Sequence, residues 1–440
     1  MGKLTFRGGI HPYEGKELSK DHPIEKYLPK GDLVYPLSQH IGAPSVPCVK
    51  KGDTVLAGQK IADAGGFVSV PLHASVSGTV KGIEKRLNAT GSMVDCIVIE
   101  NDQQYQETEF QEARLEDLTK EEILNRIKEG GVVGMGGAGF PTHVKLAPKD
   151  PSKIEYILVN GAECEPYITS DYRRMIEEPE KVVKGLQVIL TLFDSAKGYI
   201  CIEDNKPDCI AKMKELVKDI DRIEVKEMMT KYPQGGERTL IYAATGREIN
   251  STMLPADVGC VVDNVETVIS VYKAVILGRP VNSRVVTVTG DGIKEPKNLL
   301  VLAGTDMSEL VDAAGGLKGK IAKAISGGPM MGFAMFGLDV PTTKTTSALL
   351  CLTEDAVEDA SQNATACINC GRCVEACPSR IVPSRLADYA EKHLEEPFEQ
   401  WHGMECVECG SCSFTCPAKR NLAQSIKSMR KTILANRRKK

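Results

Sequence analysis

The sequence is short of aromatic residues. Only 5% of its 440 residues are Phe, Trp or Tyr, and Trp401 is the single tryptophan, so its cores must be built from aliphatic side chains. It has no excess of either charge. Lys and Arg number 55 against 59 Asp and Glu, a net charge of −4, which gives no ground for nucleic-acid or polyanion binding over the whole chain. Long apolar runs are missing too. No stretch approaches the roughly 18 apolar residues that a membrane span needs. The N-terminal MGKLTFRGGIHPYEG has no apolar signal-peptide core. The expectation is a protein of the cytosol, or one peripheral on the cytosolic side of a membrane. A chain this long exceeds one ordinary core, so about two to four domains are expected.

Cysteine, by contrast, is abundant at 15 residues. In a reducing compartment that points to metal ligation rather than disulfides. Eight cysteines fall in two runs, CINCGRCVEACP at 367–378 and CVECGSCSFTCP at 406–417. Both read C-x2-C-x2-C-x3-C-P. Three thiolates at that spacing on a tight loop reach three corners of one cubane, with Gly371 and Gly410 allowing the turn. The fourth cysteine, followed by proline, leads away and ligates the other cluster in two-cluster ferredoxins. Cys367, Cys370, Cys373 and Cys416 are therefore assigned to one 4Fe–4S cluster, and Cys406, Cys409, Cys412 and Cys377 to the second. A zinc site would show two cysteine pairs instead. Between the runs, Leu386, Tyr389, Ala390 and Leu394 form an apolar stripe at helical spacing, so a helical ferredoxin-type domain is expected. Cys48, Cys96, Cys201, Cys209, Cys260 and Cys351 read as buried small hydrophobes. The segment from Lys427 to Lys440 is basic and free of acid. It reads as a frayed, solvated helix end, with a docking tail for an acidic partner or a membrane surface as the alternative.

Paired cubanes pass electrons singly, whereas common reductants deliver them in pairs as hydride. A flavin bridges the two regimes, so a flavin site, and with it a nicotinamide site, is expected upstream. The first candidate is GMGGAGFP at 134–141, with GxGxxG at Gly134, Gly136 and Gly139. A Rossmann turn would follow a strand. Here the preceding DLTKEEILNRIKEGG reads as a helix, with a Thr119–Glu122 capping box and a stop at Gly130 and Gly131, so the ordinary Rossmann reading fails. The glycines still permit close approach to a phosphate or flat ring, and Pro141 is placed to open a helix whose N-terminus favours anions. A mobile surface loop is the plain alternative.

The second candidate, NGAECEPY, follows the predicted strand 154–159, and ligands of α/β sheets sit at such strand ends. Predicted helices over 179–193 and 207–219 alternate with strands GYICIE and RIEVKEM, which argues for a parallel sheet. YPQGGERTL at 232–240 and VVDNVETV at 261–268 complete the set. Alone, Asp263 or Asn264 reads as no more than a helix N-cap.

Together GMGGAGFPTHVK, NGAECEP, YPQGGE and DNVET resemble, in order, the motifs of the NADH-binding flavoprotein subunit of respiratory complex I. The resemblance covers roughly residues 116–280. It implies that Gly134, Gly136, Gly137, Gly139 and Lys145 hold non-covalent FMN, that Asn160, Ala162, Glu163, Gly235, Gly236, Asp263 and Asn264 line the flavin, and that Phe140, Glu165 and Glu237 meet NAD(H). Met135, Ala162, Cys164 and Gly236 depart from that family's arginine, aspartate, serine and glutamate. VPCVKKGDTVLAGQKI at 46–61 and LHASVSGTVKGI at 72–83 resemble the halves of a biotinyl/lipoyl-type barrel. No lysine occurs in 61–80, so no swinging-arm attachment is expected and the module reads as a packing surface. Residues 284–350 resemble the β-grasp domain that follows the flavin domain in complex I flavoproteins, and Gly327, Gly328 and Gly332 read as its turns.

The resulting fold class is multidomain α/β and α+β: a barrel-sandwich hybrid, a complex I flavoprotein-like α/β domain, a β-grasp and a helical two-cluster ferredoxin domain. The expected boundaries are 1–115 with the barrel core at about 40–102, then 116–280, 281–350, 351–426 and a basic tail at 427–440. This order resembles the C-subunit family of Rnf-type ferredoxin:NAD oxidoreductases. The resemblance implies a peripheral subunit on the cytoplasmic side of the cell membrane, bound to other subunits of a membrane complex that include a ferredoxin-type iron–sulfur subunit, with ion transport in those partners. Two alternatives stay open: a cobalamin reductase of bacterial microcompartments, which resembles the same architecture, and an iron–sulfur relay protein with a vestigial flavin site.

Overall fold

The computed structural model describes residues 3–439. Its N-terminal strap belongs to no single domain. Leu4 bridges Met228 in parallel, Ile10 bridges Tyr232 antiparallel, and Ile24–Lys26 adds an edge strand beside Lys297–Leu302. The barrel-sandwich hybrid follows as two small sheets. One runs in the order Leu33–Pro36, Met93–Asn101, Gly78–Leu87, Thr54–Val55; the other is Val46–Pro47, Lys60–Asp63, Leu72–His73. Alternation sends Leu33, Tyr35, Ile61, Leu72, Ile97 and Ile99 into the space between them.

The α/β domain is a four-stranded sheet in the order Ile223–Met228, Lys197–Glu203, Tyr156–Gly161, Cys260–Asn264. Every pair is parallel, as the alternation of helix and strand patterns required. Before it, the helix Lys120–Glu129 carries the reciprocal Thr119–Glu122 capping box, and Gly131, at φ 66, turns the chain out of it. The helices Pro179–Leu190 and Val265–Val275 pack on the sheet so closely that a Cβ at Gly185 would stand 2.1 Å from the Val268 carbonyl oxygen. Only glycine fits that crossing. The β-grasp is a mixed sheet of six strands, counting the N-terminal edge strand.

The ferredoxin-type domain is helical, as expected, with two differences from the sequence reading. The segment between the cysteine runs is not one stripe. It breaks into Pro383–Glu391 and Glu395–Gln400, with His393 at φ 55 between them. Leu386 and Ala390 are buried, but Leu394 is 42% exposed because it occupies the turn. Nor is the basic segment a frayed end. The helix Leu422–Lys439 runs unbroken through it and buries Ile426, Met429 and Ile433 against Leu386, Ala390 and Phe398. Each such side chain contributes roughly 1.5–3 kcal/mol of burial. Its basic side chains pair across the domain, Lys427 and Arg430 with Glu408 and Arg437 with Glu399. Among the remaining cysteines, Cys96, Cys201, Cys209, Cys260 and Cys351 are buried as expected, whereas Cys48 is exposed on its short barrel segment.

Candidate functional site

Four loops meet at the carboxyl ends of Tyr156–Gly161 and Cys260–Asn264. The glycine loop is closed on itself by the Val133–Pro141 bridge and by the Gly134 amide donating to the Phe140 carbonyl at 2.8 Å. A Cβ on Gly136 would lie 2.8 Å from the Asn264 Cβ, and Gly139 holds φ 70 against Gln39, whereas Gly137 faces open space. Lys145 Nζ donates to the Val262 carbonyl at 2.7 Å and to Asp263 Oδ1 at 3.1 Å. The second Asp263 oxygen is buried without a partner. Burial pushes the Glu237 carboxyl up while Lys145 pulls it down, which places Lys145, Asp263 and Glu237 within one electrostatic neighbourhood. Asn264 caps the following helix, accepting from the Glu266 amide at 2.9 Å and donating to Asp171 Oδ2 at 2.6 Å.

A second knot joins Asn160, Ala162 and Gly235. Asn160 Nδ2 donates to the Gly235 carbonyl at 2.8 Å, its Oδ1 accepts from the Ala162 amide at 3.3 Å, and the Gly235 amide donates to Cys164 Sγ at 3.3 Å. Gly236 adjoins Thr239, and Glu237 opens the helix Glu237–Thr245. The two remaining acids turn elsewhere. The Glu163 carboxylate accepts from the Asp171 and Tyr172 amides at the start of Ser170–Glu177. The Glu165 carboxylate accepts from the Met330 and Met331 amides of the β-grasp at 3.1 and 2.8 Å. The helix after Pro141 is only Thr142–Lys145, too short to act as an anion-binding dipole. Met135 is 1% exposed in the domain core, so the side chain standing where the family has arginine points away from this surface. A glycine cradle tight at Gly136 and open at Gly137, with an orphaned buried carboxylate oxygen beside a lysine, fits a flat phosphorylated ring such as FMN.

The eight motif cysteines separate into two cavities. Cys367, Cys370, Cys373 and Cys416 line one, with Arg385 and Arg420. Cys377, Cys406, Cys409 and Cys412 line the other. The motifs are near-copies: Gly371 and Gly410 have φ 77 and 80, and the Asn369 and Glu408 amides donate to Cys367 Sγ and Cys406 Sγ at 3.5 and 3.3 Å. Among the described residues no three His, Cys, Asp or Glu gather round a single ion-sized point, so the thiols ring a space instead. Burial raises the Cys406 thiol to about 11 and the Cys377 and Cys412 thiols upward as well. Thiols so removed from water ionise when a metal replaces the proton. The donor sets fit two four-iron clusters.

The cavities differ in surroundings. Cys367 and Cys370 are exposed. The other loop is clamped onto the α/β domain: Tyr232, 1% exposed, donates its hydroxyl to the Cys409 carbonyl at 2.7 Å. Arg238 and Ser251 hold Glu405, and the Gly9 amide donates to the Ala376 carbonyl at 2.8 Å.

Four family models match successive parts of the chain. Residues 4–104 match the RnfC barrel-sandwich hybrid domain, 127–273 the Nuo51 FMN-binding domain, 285–334 the SLBB domain and 366–420 the 4Fe–4S dicluster domain. The chain is 44% identical over 437 residues to the C-subunit of the Na(+)-translocating ferredoxin:NAD(+) oxidoreductase complex of Acetobacterium woodii, covering 99% of this chain and 98% of that protein. It belongs to the C-subunit family of ion-translocating oxidoreductases. The proton-translocating counterpart of Clostridium ljungdahlii is 46% identical over 97% of this chain and 93% of its own. Against the Vibrio cholerae member, 39% identical over 89% of this chain, it spans about half (51%) of the relative's length. The fold also matches a chain of an NAD+-reducing [NiFe]-hydrogenase in the air-oxidized state, at a TM-score of 0.50 and 18% identity over 72% of this chain and 61% of that one.

Several residues that build the site of this C-subunit family member were not singled out by the sequence motifs. Lys16, on the N-terminal strap, is 8% exposed and donates to the Glu163, Glu165 and Ile168 carbonyls at 2.8, 3.1 and 2.6 Å. Lys206 is likewise buried and donates to the Ala162 carbonyl at 2.6 Å. Arg174 and Glu266 form a bidentate buried pair behind Asn264. Each lies far in sequence from its partner, so no local spacing reveals it. The one available signal was Glu266, which stands inside DNVET.

Proposed function

We propose that the chain is the peripheral electron-transfer subunit of an ion-translocating ferredoxin:NAD(+) oxidoreductase complex, holding two 4Fe–4S clusters, FMN and NAD(H). The observation that carries this reading is the Tyr232 hydroxyl on the Cys409 carbonyl at 2.7 Å. It ties one cysteine cavity to the loop that also supplies Gly235, Gly236 and Glu237 to the flavin-type site. Gly134, Gly136, Gly137 and Gly139 would cradle the flavin, with Lys145 beside its anionic end. Asn160, Ala162, Gly235, Gly236, Asp263 and Asn264 would line the ring's surroundings, with Glu163 bracing the loop from behind. By the same resemblance Phe140 and Glu237 would be the side toward nicotinamide, whereas Glu165, its carboxylate taken by the Met330 and Met331 amides, would brace that side from the β-grasp. When bound, FMN takes up hydride from NADH and exchanges single electrons with iron–sulfur clusters. Cys377, Cys406, Cys409 and Cys412 would hold the cluster nearer the flavin; Cys367, Cys370, Cys373 and Cys416 would hold the outer one.

Among the described residues no helix is long and apolar enough to cross a membrane. On this reading the chain docks to membrane subunits from the cytoplasmic side, and those subunits move the ion. The test is anaerobic purification, reconstitution with FMN, iron and sulfide, and titration with NADH at the flavin absorbance band. Saturable bleaching supports the reading. An unbleached spectrum with eight bound irons would replace it by an iron–sulfur relay.

A further inference from the structure

The two cysteine cavities lie in opposite settings, and the difference assigns a direction. The loop of Cys406–Cys412 is covered by Tyr232, Met330 and Ile10. The loop of Cys367–Cys373 is bare, with Cys367 and Cys370 exposed, Ile368 63% exposed between them and Val374 37% exposed just after Cys373. The chain segments forming that bare cavity, 364–385 and 416–421, carry Arg372, Arg380, Arg385, Lys419 and Arg420 against the single acid Glu375. Arg420 is engaged by Asp388 and Glu391. Arg372, Arg385 and Lys419 form no ion pair among the described residues, and all three are exposed. Arg372 follows Gly371, Lys419 follows Ala418, and Arg385 itself lines the cavity. The result is a small apolar centre beside a redox cavity, ringed by unpaired cations. Unpaired surface charge of one sign steers and orients an opposite partner more than it adds affinity, and small interfaces of this kind suit short-lived redox encounters.

We propose that this rim is the docking surface for an acidic, ferredoxin-sized iron–sulfur protein domain, which exchanges one electron at a time with the cluster held by Cys367, Cys370, Cys373 and Cys416. The assignment rests on the proposed function above. One electron moves per encounter: the partner's cluster is oxidised as this one is reduced, or the reverse, and no bond forms or breaks.

The test uses the full chain loaded with clusters and FMN. The wild type and the Arg372→Glu/Lys419→Glu variant are first reduced with NADH, and iron content and the cluster electron paramagnetic resonance signals are recorded. A wild type that takes no electrons from NADH would refute the underlying reading rather than the docking surface. Reduced protein is then mixed by stopped flow with an oxidised acidic two-cluster ferredoxin, and separately with a small uncharged electron acceptor. We expect the second-order rate with ferredoxin to fall about tenfold or more in the variant at low ionic strength. The wild-type rate should approach the variant's as salt is raised, since surface charges are screened within about 3 Å at 1 M. The uncharged acceptor should react equally with both proteins. A ferredoxin rate indifferent to salt and to charge reversal, in protein with intact cluster signals, overturns the proposal. So does an equal loss with the uncharged acceptor.

Discussion

Replacing Arg174 by methionine should weaken the α/β domain, by an amount that follows from the geometry. Arg174 Nε and Nη2 donate to the two Glu266 oxygens at 2.7 and 2.9 Å, and the side chains are 2% and 3% exposed. Removing the guanidinium leaves a carboxylate buried without its partner, which costs about 3–5 kcal/mol. Domains are typically stable by only about 5–15 kcal/mol, so at least about a fifth of the margin goes. Glu266 opens the helix behind Asp263 and Asn264, and bound FMN should therefore be released at lower urea. The pH dependence should change sign. In the wild type burial pushes the Glu266 carboxyl up, but Arg174 outweighs it and holds it below its ordinary value. That stability is present above the unfolded pKa, near 4.3, and is lost as pH falls through the lower folded value. In the variant burial is opposed only by the weaker pulls of Lys273 and Arg284, the folded pKa rises above the unfolded one, and the protein recovers on acidification. The double variant Arg174→Met/Glu266→Leu should regain most of the loss, because removing both charges is close to neutral or better. Urea titration followed by flavin fluorescence and far-ultraviolet circular dichroism at pH 5.5, 7 and 8.5 measures all three effects. A single variant within about 1 kcal/mol of wild type at pH 7, or a double variant no better than the single, would refute the reasoning.

Three further outcomes are expected. Tyr232→Phe removes the donor to the buried Cys409 carbonyl and should cost about 1–3 kcal/mol of domain docking; amide exchange should quicken over 405–412 with iron content unchanged. Cys416→Ser and Cys367→Ser should abolish the same paramagnetic signal, and Cys377→Ser and Cys406→Ser the other; loss by motif instead would show that the fourth ligand does not cross over. Burial raises the Glu165 carboxyl to about 7 against the pull of the Met330 and Met331 amides. A raised folded pKa contributes stability that is complete below the unfolded value and is lost as pH rises through 7. Glu165→Gln should therefore flatten the decline in melting temperature between pH 5.5 and 8, and a decline as steep as the wild type's would sink the assignment.

The local chemistry of the fold was legible along the chain. The Thr119–Glu122 capping box, the parallel strand–helix alternation and the two C-x2-C-x2-C-x3-C-P runs each depend on neighbours within a few residues, and each appears where the pattern put it. Leu394 and the basic C-terminal segment were misread because periodicity and charge do not say what packs against a helix. Leu394 falls at a break, and Ile426, Met429 and Ile433 make the last helix part of a core. Met135 reads as a lost ligand charge in the motif but lies in the domain core.

What the sequence determined by itself is the set of donors: eight thiols at cluster spacing, glycines where a backbone must come close, and the strands that carry them. What only the tertiary structure decided is how those donors are joined. Lys16 reaches across 147 residues to the Glu163 carbonyl, Glu165 is turned toward the β-grasp by Met330 and Met331, and Tyr232 fastens one cysteine loop to the α/β domain while the other is left facing solvent. Burial, charge pairing and hydrogen bonding between distant segments depend on where the domains come to rest against one another, and no spacing along the chain encodes that.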